Sequence, residues 1–424
     1  MSFSSLTKKS VFTRQDAFAY LIYVYALIIP LRTHLKSYVF LALLAYFLWK
    51  CLFAGNWRHI PKSSAFKALA GYFALCVLSL LYTEHPKETL NFIILQGTLA
   101  FLPLIVYKQL TLKQIHAALL LFCLSCFCLS VYATVDITRQ YFDKFPQHVH
   151  QWQEIDWTFF SYFLPQNIKF HAPYYSLYIG VCLIIHSYFL FVSRKTHQKK
   201  AFFLHLFFCV FFFAFQALLS SRTALVATVV VIALVWAYVA VKAGRYGLMV
   251  AVVVFTLGTS FLVFQKVTYL KMKFSESAGV YQRKMMWTSA LDIIREHPLL
   301  GISHGNAEEA LVERYKANQF TEGVEARFDA HNQFLMHGVS LGILGALAFL
   351  LVLFFLGKEA YQRQDYILFC FIAVFAICCL TESLLQRRDG TLLFSFITSL
   401  LLFANKEPQV GLPADEPVDK TPTT

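Results

Sequence analysis

Charge is scarce in this sequence. Only 14% of its 424 residues are Asp, Glu, Lys or Arg, against about 25% in a soluble domain, which excludes a globule wholly covered by water. Cysteine is missing from every long polar stretch. All ten lie inside apolar runs, so no disulfide framework can staple the loops. Cys123 and Cys126 form a C-x-x-C, but no second pair or polar ligand accompanies it, and packed core residues are the expected role. The loops contain no D-x-D and no H-E-x-x-H, and no repeat recurs at a fixed period. The net charge of +13 comes without any nucleic-acid-binding signature, so nucleic acid is not an expected partner. The first apolar run follows Lys8, Lys9 and Arg14 without a small-residue cleavage site after it. It is therefore expected to stay as a helix rather than leave as a signal peptide.

What the sequence has is apolar length. Hydrophobic residues make up 58%, with 44 Phe and 22 Tyr, and they gather in runs of about 20, enough to cross hydrocarbon as helix. The runs predict an all-α polytopic membrane protein with twelve spans, near 17–31, 38–54, 66–83, 90–107, 116–134, 173–193, 200–219, 223–241, 246–265, 337–357, 365–385 and 390–405. One transmembrane domain then occupies 1–408, and the tail 409–424, "PADEPVDKTPTT" at its end, reads as disordered. With the N-terminus inside, sixteen Lys and Arg fall on inner segments and six on the short outer loops. That asymmetry places both termini in the cytoplasm.

Two long loops fall outside, 135–172 and 266–336. The first is aromatic ("HQWQEIDWTFFSYF") and suits a segment lying among lipid headgroups. The second balances nine Lys and Arg against nine Asp and Glu. Within it Trp287, Ala290, Leu291 and Ile294 recur at helical spacing and "HPLLG" closes the helix. A second helix is expected from Asn306, with Glu309 as capping-box partner. The loop reads as a helical cap leading into the tenth span.

Where that cap meets the membrane stands "HNQFLMHGVSLGILG", residues 331–345. A neutral imidazole at His331 can take a proton from a hydroxyl near neutral pH, as a general base does, and Asn332 can orient it or a substrate. The competing reading is a boundary histidine snorkelling to the interface. Arg222, in the tight outer turn "LLSSRTALVA", has little room to reach water and needs a partner. Arg283 lies in "YQRKMMWTSA". Two planar guanidiniums converging outside the membrane suit a diphosphate. Glu382, Arg387 and Arg388, in "TESLLQRRDG", are expected to form an ion pair between the carboxylate and one arginine. They and His171, which enters the sixth span from the same side, are candidate substrate contacts. His186, His205 and Lys50 look structural. Gly342 and Gly345 allow close helix approach. Glu154 and Asp156 have the spacing of a carboxylate pair for Mg²⁺ or Mn²⁺, but a metal-free site with no cofactor is the expectation.

These elements resemble the bacterial O-antigen ligase family. His331-Asn332, nine residues, Gly342, two residues and Gly345 match its H[NSQ]-x9-G-x-x-[GTY] motif. "SSRTALVA" resembles its arginine turn, and "QRKMMWTSALDIIREHPLLGISHGN" its second arginine and the stretch that follows. The resemblance implies a C-type glycosyltransferase-like fold in the bacterial inner membrane and a periplasmic active site. It also implies metal-independent, inverting transfer of a polysaccharide from undecaprenyl diphosphate to a hydroxyl of lipid A-core. His331 would be the base, and Arg222 and Arg283 would bind the diphosphate. O-antigen polymerases share the motif, so polymerisation stays open, as does a lipid-linked glycan transporter.

Overall fold

The structure, a computed structural model, describes residues 14–54, 60–150, 154–244 and 278–405, with Gly247 and Gly258. Helices α1 (Arg14–Ile28), α2 (Leu35–Ala54), α3 (Ser64–Leu78), α4 (Pro86–Val106) and α5 (Leu112–Lys144) come first. Then follow α6 (Trp157–Asn167), α7 (Ala172–Lys195), α8 (Lys199–Leu218) and α9 (Arg222–Lys242). After 277 come α10 (Ala278–Glu296), α11 (His304–Ala317), α12 (Thr321–Ala326), α13 (Gln333–Gln362), α14 (Tyr366–Cys378) and α15 (Arg388–Thr398). Among the described residues there is no strand, only an isolated bridge between Leu110 and Asn405. The protein is all-α.

Among the described residues, eight helices are long and apolar enough to cross a membrane, and they fall on eight of the expected spans. Two further spans correspond to the shorter apolar helices Ala17–Ile28 and Tyr366–Cys378. The last corresponds to α15 and a π turn, Ser399–Phe403. The ninth expected span, 246–265, lies outside the described residues.

Helix starts follow local chemistry. Thr111 and Gln114 form a capping box on α5, and Ser63 and Asp365 cap α3 and α14. Three boundaries differ from expectation. The loop expected from 135 begins after Lys144, because α5 runs on for 33 residues with an Arg139–Asp143 pair one turn apart near its end. Helix α11 starts at His304, two residues early, and Ser303 caps it without a side-chain bond. Asn306 instead accepts from the Thr83 hydroxyl and the Glu84 N–H, and Glu309 pairs with His85 at 3.0 Å, so the residues expected to cap α11 tie it to the α3–α4 connection.

The third difference matters for the site. Helix α14 stops at Cys378, well before the expected 385, and residues 379–387 are irregular apart from a 3-10 turn, Leu384–Gln386, in which Leu384 and Leu385 are buried. Backbone of that kind survives at a buried helix end only with partners for its polar groups. The Gln333 N–H bonds to Cys379 O, the Asn332 amide to Leu380 O, Tyr174 to Ser383 O and Gln96 to Leu385 O.

Contacts between connections sort to the two ends of the bundle. At one end Arg32 meets Asp389, Thr83 meets Asn306, Thr223 meets Thr381 and Tyr174 meets Ser383. At the other Lys50 meets Gln109, Ala65 meets Glu359 and Arg363 meets Leu402. Both ends are knitted, and candidate site residues gather at the first.

Candidate active site

The first turn of α13 is built around two side chains. Asn332 caps the helix by accepting from the N–H groups of Phe334 and Leu335, and its amide nitrogen donates to Leu380 O. Its amide is thus spent on structure. Asp329 accepts from the N–H of His331 at 2.7 Å and from the hydroxyl of Ser383 at 3.0 Å, which fastens the 329–333 turn to residues 379–387. The turn holds His331 with φ of 43°, an unusual conformation for a residue with a side chain. Asp329 supplies the local side-chain bond that stabilises it.

Held this way, His331 places Nδ1 3.4 Å from Glu382 Oε2. Among the described residues Glu382 therefore pairs with the histidine, where the sequence had suggested Arg387 or Arg388. The bend after Cys378 brings it over the start of α13, while Arg388 opens the next helix. Burial opposes charge on His331, but the Glu382 hydrogen bond and the negative charges of Asp329 and Glu382 outweigh it. The imidazole pKa is raised above 6.5, against the opposing charge of Arg283.

Arg283 thus acts on His331 from α10, which packs along α13. Arg222 is the first residue of α9. Its neighbour Thr223 accepts a hydrogen bond from the Thr381 hydroxyl at 3.0 Å, so its turn is docked beside Glu382. His171 caps α7 and feels the charges of Glu382, Arg387, His331 and Asp329. Arg387 lies over the Tyr174 ring, 5.9 Å from its centroid. The structure brings Arg222, Arg283, His331, Glu382, His171 and Arg387 to one end of the bundle. Arg388 turns away, donating to Ser37 at 2.9 Å.

Gly342 is more than a site of close approach. It interrupts α13 with φ 66° and ψ −168°, a region essentially confined to glycine. The break frees the carbonyls of Val339 and Ser340, which accept from the N–H groups of Ile302 and Ser303, and the N–H of Ile343 donates to Pro298 O. The HPLLG turn is thereby seated in the break, with Gly301 at φ 65° against Val339 and Gly342. Two glycine motifs far apart in sequence form one joint, and it fixes α10 against α13.

Beneath His331 runs a buried polar chain outside the candidate residues. Gln333 Nε2 is 3.1 Å from His337 Nε2, which is 3.4 Å from the Tyr72 hydroxyl, and that hydroxyl donates to Gln96 at 3.2 Å. Polar residues inside apolar helices were the available signal. His304 stacks on Phe92 in the cap, and burial lowers its pKa to about 4, so it is neutral. Asp156 caps α6 through the Thr158 N–H, and Glu154 stands 3.8 Å from His148. Among the described residues no group of three His, Cys, Asp or Glu is placed to hold a metal ion.

No curated protein matches the chain. Residues 207–350 match the family model described as O-antigen ligase. That stretch contains Arg222, Arg283, the HPLLG turn, His331 and the Gly342 break, and the match supports the O-antigen ligase family.

Proposed function

We propose that the protein is a metal-independent, inverting glycosyltransferase of the bacterial inner membrane. It moves a polysaccharide from undecaprenyl diphosphate to a hydroxyl of lipid A-core at the periplasmic face, with both termini in the cytoplasm. The observation that carries this reading is the His331–Glu382 pair, on which the charge of Arg283 acts, with the Arg222 turn bonded to the segment that holds Glu382.

In this reading the acceptor oxygen forms a bond to the anomeric carbon as the bond to the diphosphate oxygen breaks. His331 takes the hydroxyl proton, and Glu382 stabilises the imidazolium that results. The diphosphate leaves with its electron pair, and Arg222 and Arg283 hold the charge it gains. A diphosphate is already a good leaving group, so fixed cations and a base meet the need.

The test is transfer by purified protein between an undecaprenyl-diphosphate-linked glycan and lipid A-core. His331→Ala should fold normally and lose transfer by about 10²-fold or more. Near-normal transfer would remove His331 from this role. Cells lacking the protein should strand finished long chains on their carrier lipid. Single repeats on the core would instead identify a polymerase.

A further inference from the structure

Beside the His331 cluster lies a second group of cations that the proposed chemistry does not use. Asp389, at the start of α15, accepts from Arg32 Nη2 at 3.1 Å and stands 3.6 Å from Lys36 Nζ. Arg388 joins them by donating to Ser37. Arg32 from the α1–α2 connection and Lys36 from α2 thus share one carboxylate, and Arg388 of α15 stands beside them. Among the described residues, the charges that act most on Lys36 are those of Asp389, Arg388 and Arg32.

Burial makes this arrangement informative. Lys36 is only 2% exposed, and an ammonium taken out of water costs several kcal/mol unless counter-charge and hydrogen bonds replace the water. Its carboxylate is shared with Arg32 and stands beyond ordinary hydrogen-bond length. Arg32, by contrast, is half exposed, with its guanidinium 5.4 Å from the Phe170 ring centre. The group is therefore buried on one side and open on the other, with a net charge of two positive units. Phe170 precedes His171, which feels the His331 charge. One short stretch of chain separates the two sites.

We propose that Arg32, Lys36 and Arg388 form an anion site for a phosphate group carried by a membrane-bound molecule. The phosphate belongs either to a phosphorylated glycolipid acceptor or to a phospholipid headgroup. The acceptor source rests on the function proposed above; the site itself does not. Guanidinium forks match phosphate oxygens, and a phosphate would supply the counter-charge that Asp389 alone leaves short. An acceptor gripped there would have its sugars beside His331.

Direct binding separates this site from the transfer reaction. The detergent-solubilised full chain is titrated with a phosphorylated lipid A-core, with the same molecule after dephosphorylation, and with phosphatidylglycerol, each scored by native mass spectrometry. The wild-type protein should prefer phosphorylated over dephosphorylated glycolipid, and Arg388→Gln or Arg32→Gln should weaken the phosphorylated ligand by about tenfold. The dephosphorylated one should be unaffected and the melting temperature retained. Equal weakening of phosphatidylglycerol would assign the site to headgroups; its absence would assign it to the acceptor. In transfer assays the acceptor case raises KM for phosphorylated acceptor at unchanged kcat. Unchanged phosphate preference in both variants, or lowered melting without any change in preference, would overturn the proposal in favour of a purely structural tie. Failure of His331→Ala to affect transfer would sink the proposed chemistry and leave the binding result standing.

Discussion

Gly342→Ala and Gly357→Ala place the same methyl group on the same helix and should act in opposite directions. At Gly342 the backbone has φ 66° and ψ −168°, which costs an alanine about 1–3 kcal/mol. Its Cβ would also run into the backbone of Leu299 and Leu300. Backbone cannot step aside as a side-chain end can, so the HPLLG turn must leave the break. The bonds Ile302 N–H to Val339 O, Ser303 N–H to Ser340 O and Ile343 N–H to Pro298 O go with it, at about 1 kcal/mol each. The total is on the order of 4–6 kcal/mol, roughly a thousandfold or more toward an undocked cap. Helix α10, which carries Arg283, then loses its fixed seat against α13. At Gly357 the added Cβ would meet only Ile372 Cγ2 at 3.9 Å, an ordinary contact, and alanine in a helix gains about 0.5–1 kcal/mol over glycine. Thermal melting of the purified variants and their transfer rates give the readout. Gly342→Ala should melt much earlier and transfer poorly, and Gly357→Ala should match or exceed the parent. Wild-type melting and transfer in Gly342→Ala would refute the joint.

Other outcomes follow from the same geometry. His331 must be neutral to accept a proton, so transfer should rise as pH climbs through its raised pKa. Glu382→Gln removes the leading interaction that raises it and should move that acid limb to lower pH in a pH–rate profile; an unmoved limb would detach Glu382 from the base. The sign for stability is the reverse: the pair's contribution is full below about pH 6.5 and lost as pH rises through the raised value. Arg222→Lys and Arg283→Lys should both transfer poorly, because a point charge cannot replace a planar fork; normal rates in both would show that charge alone suffices. Transfer should survive EDTA, and Glu154→Gln with Asp156→Asn should keep most activity, since Asn also serves as an N-cap. Loss on chelation, restored by Mn²⁺, would turn attention to those carboxylates.

Membrane character, helical class and the candidate residues were legible in the amino-acid order. Apolar runs long enough to cross hydrocarbon admit few structures besides helices, so twelve spans could be placed, and eight of them coincide with helices of spanning length and composition among the described residues. His331 and Arg222 stood out because ionisable groups at the ends of apolar runs are costly without a purpose, and Arg283 because a second guanidinium outside the membrane suits a diphosphate. Their partners did not stand out. Glu382 lies 51 positions from His331, and only the unwinding of α14 at Cys378 turns it back to 3.4 Å from the imidazole. Nothing periodic marks that break, because the carbonyls and N–H groups that permit it are satisfied by Asn332, Gln333, Tyr174 and Gln96 from three other helices. The glycines showed the same division. Their presence was visible in sequence, but the meeting of Gly301 with Gly342 depends on two chain segments folding against each other. Apolar length is a local property and can be read residue by residue. Pairing across helices is a property of packing, and the tertiary structure alone decided it.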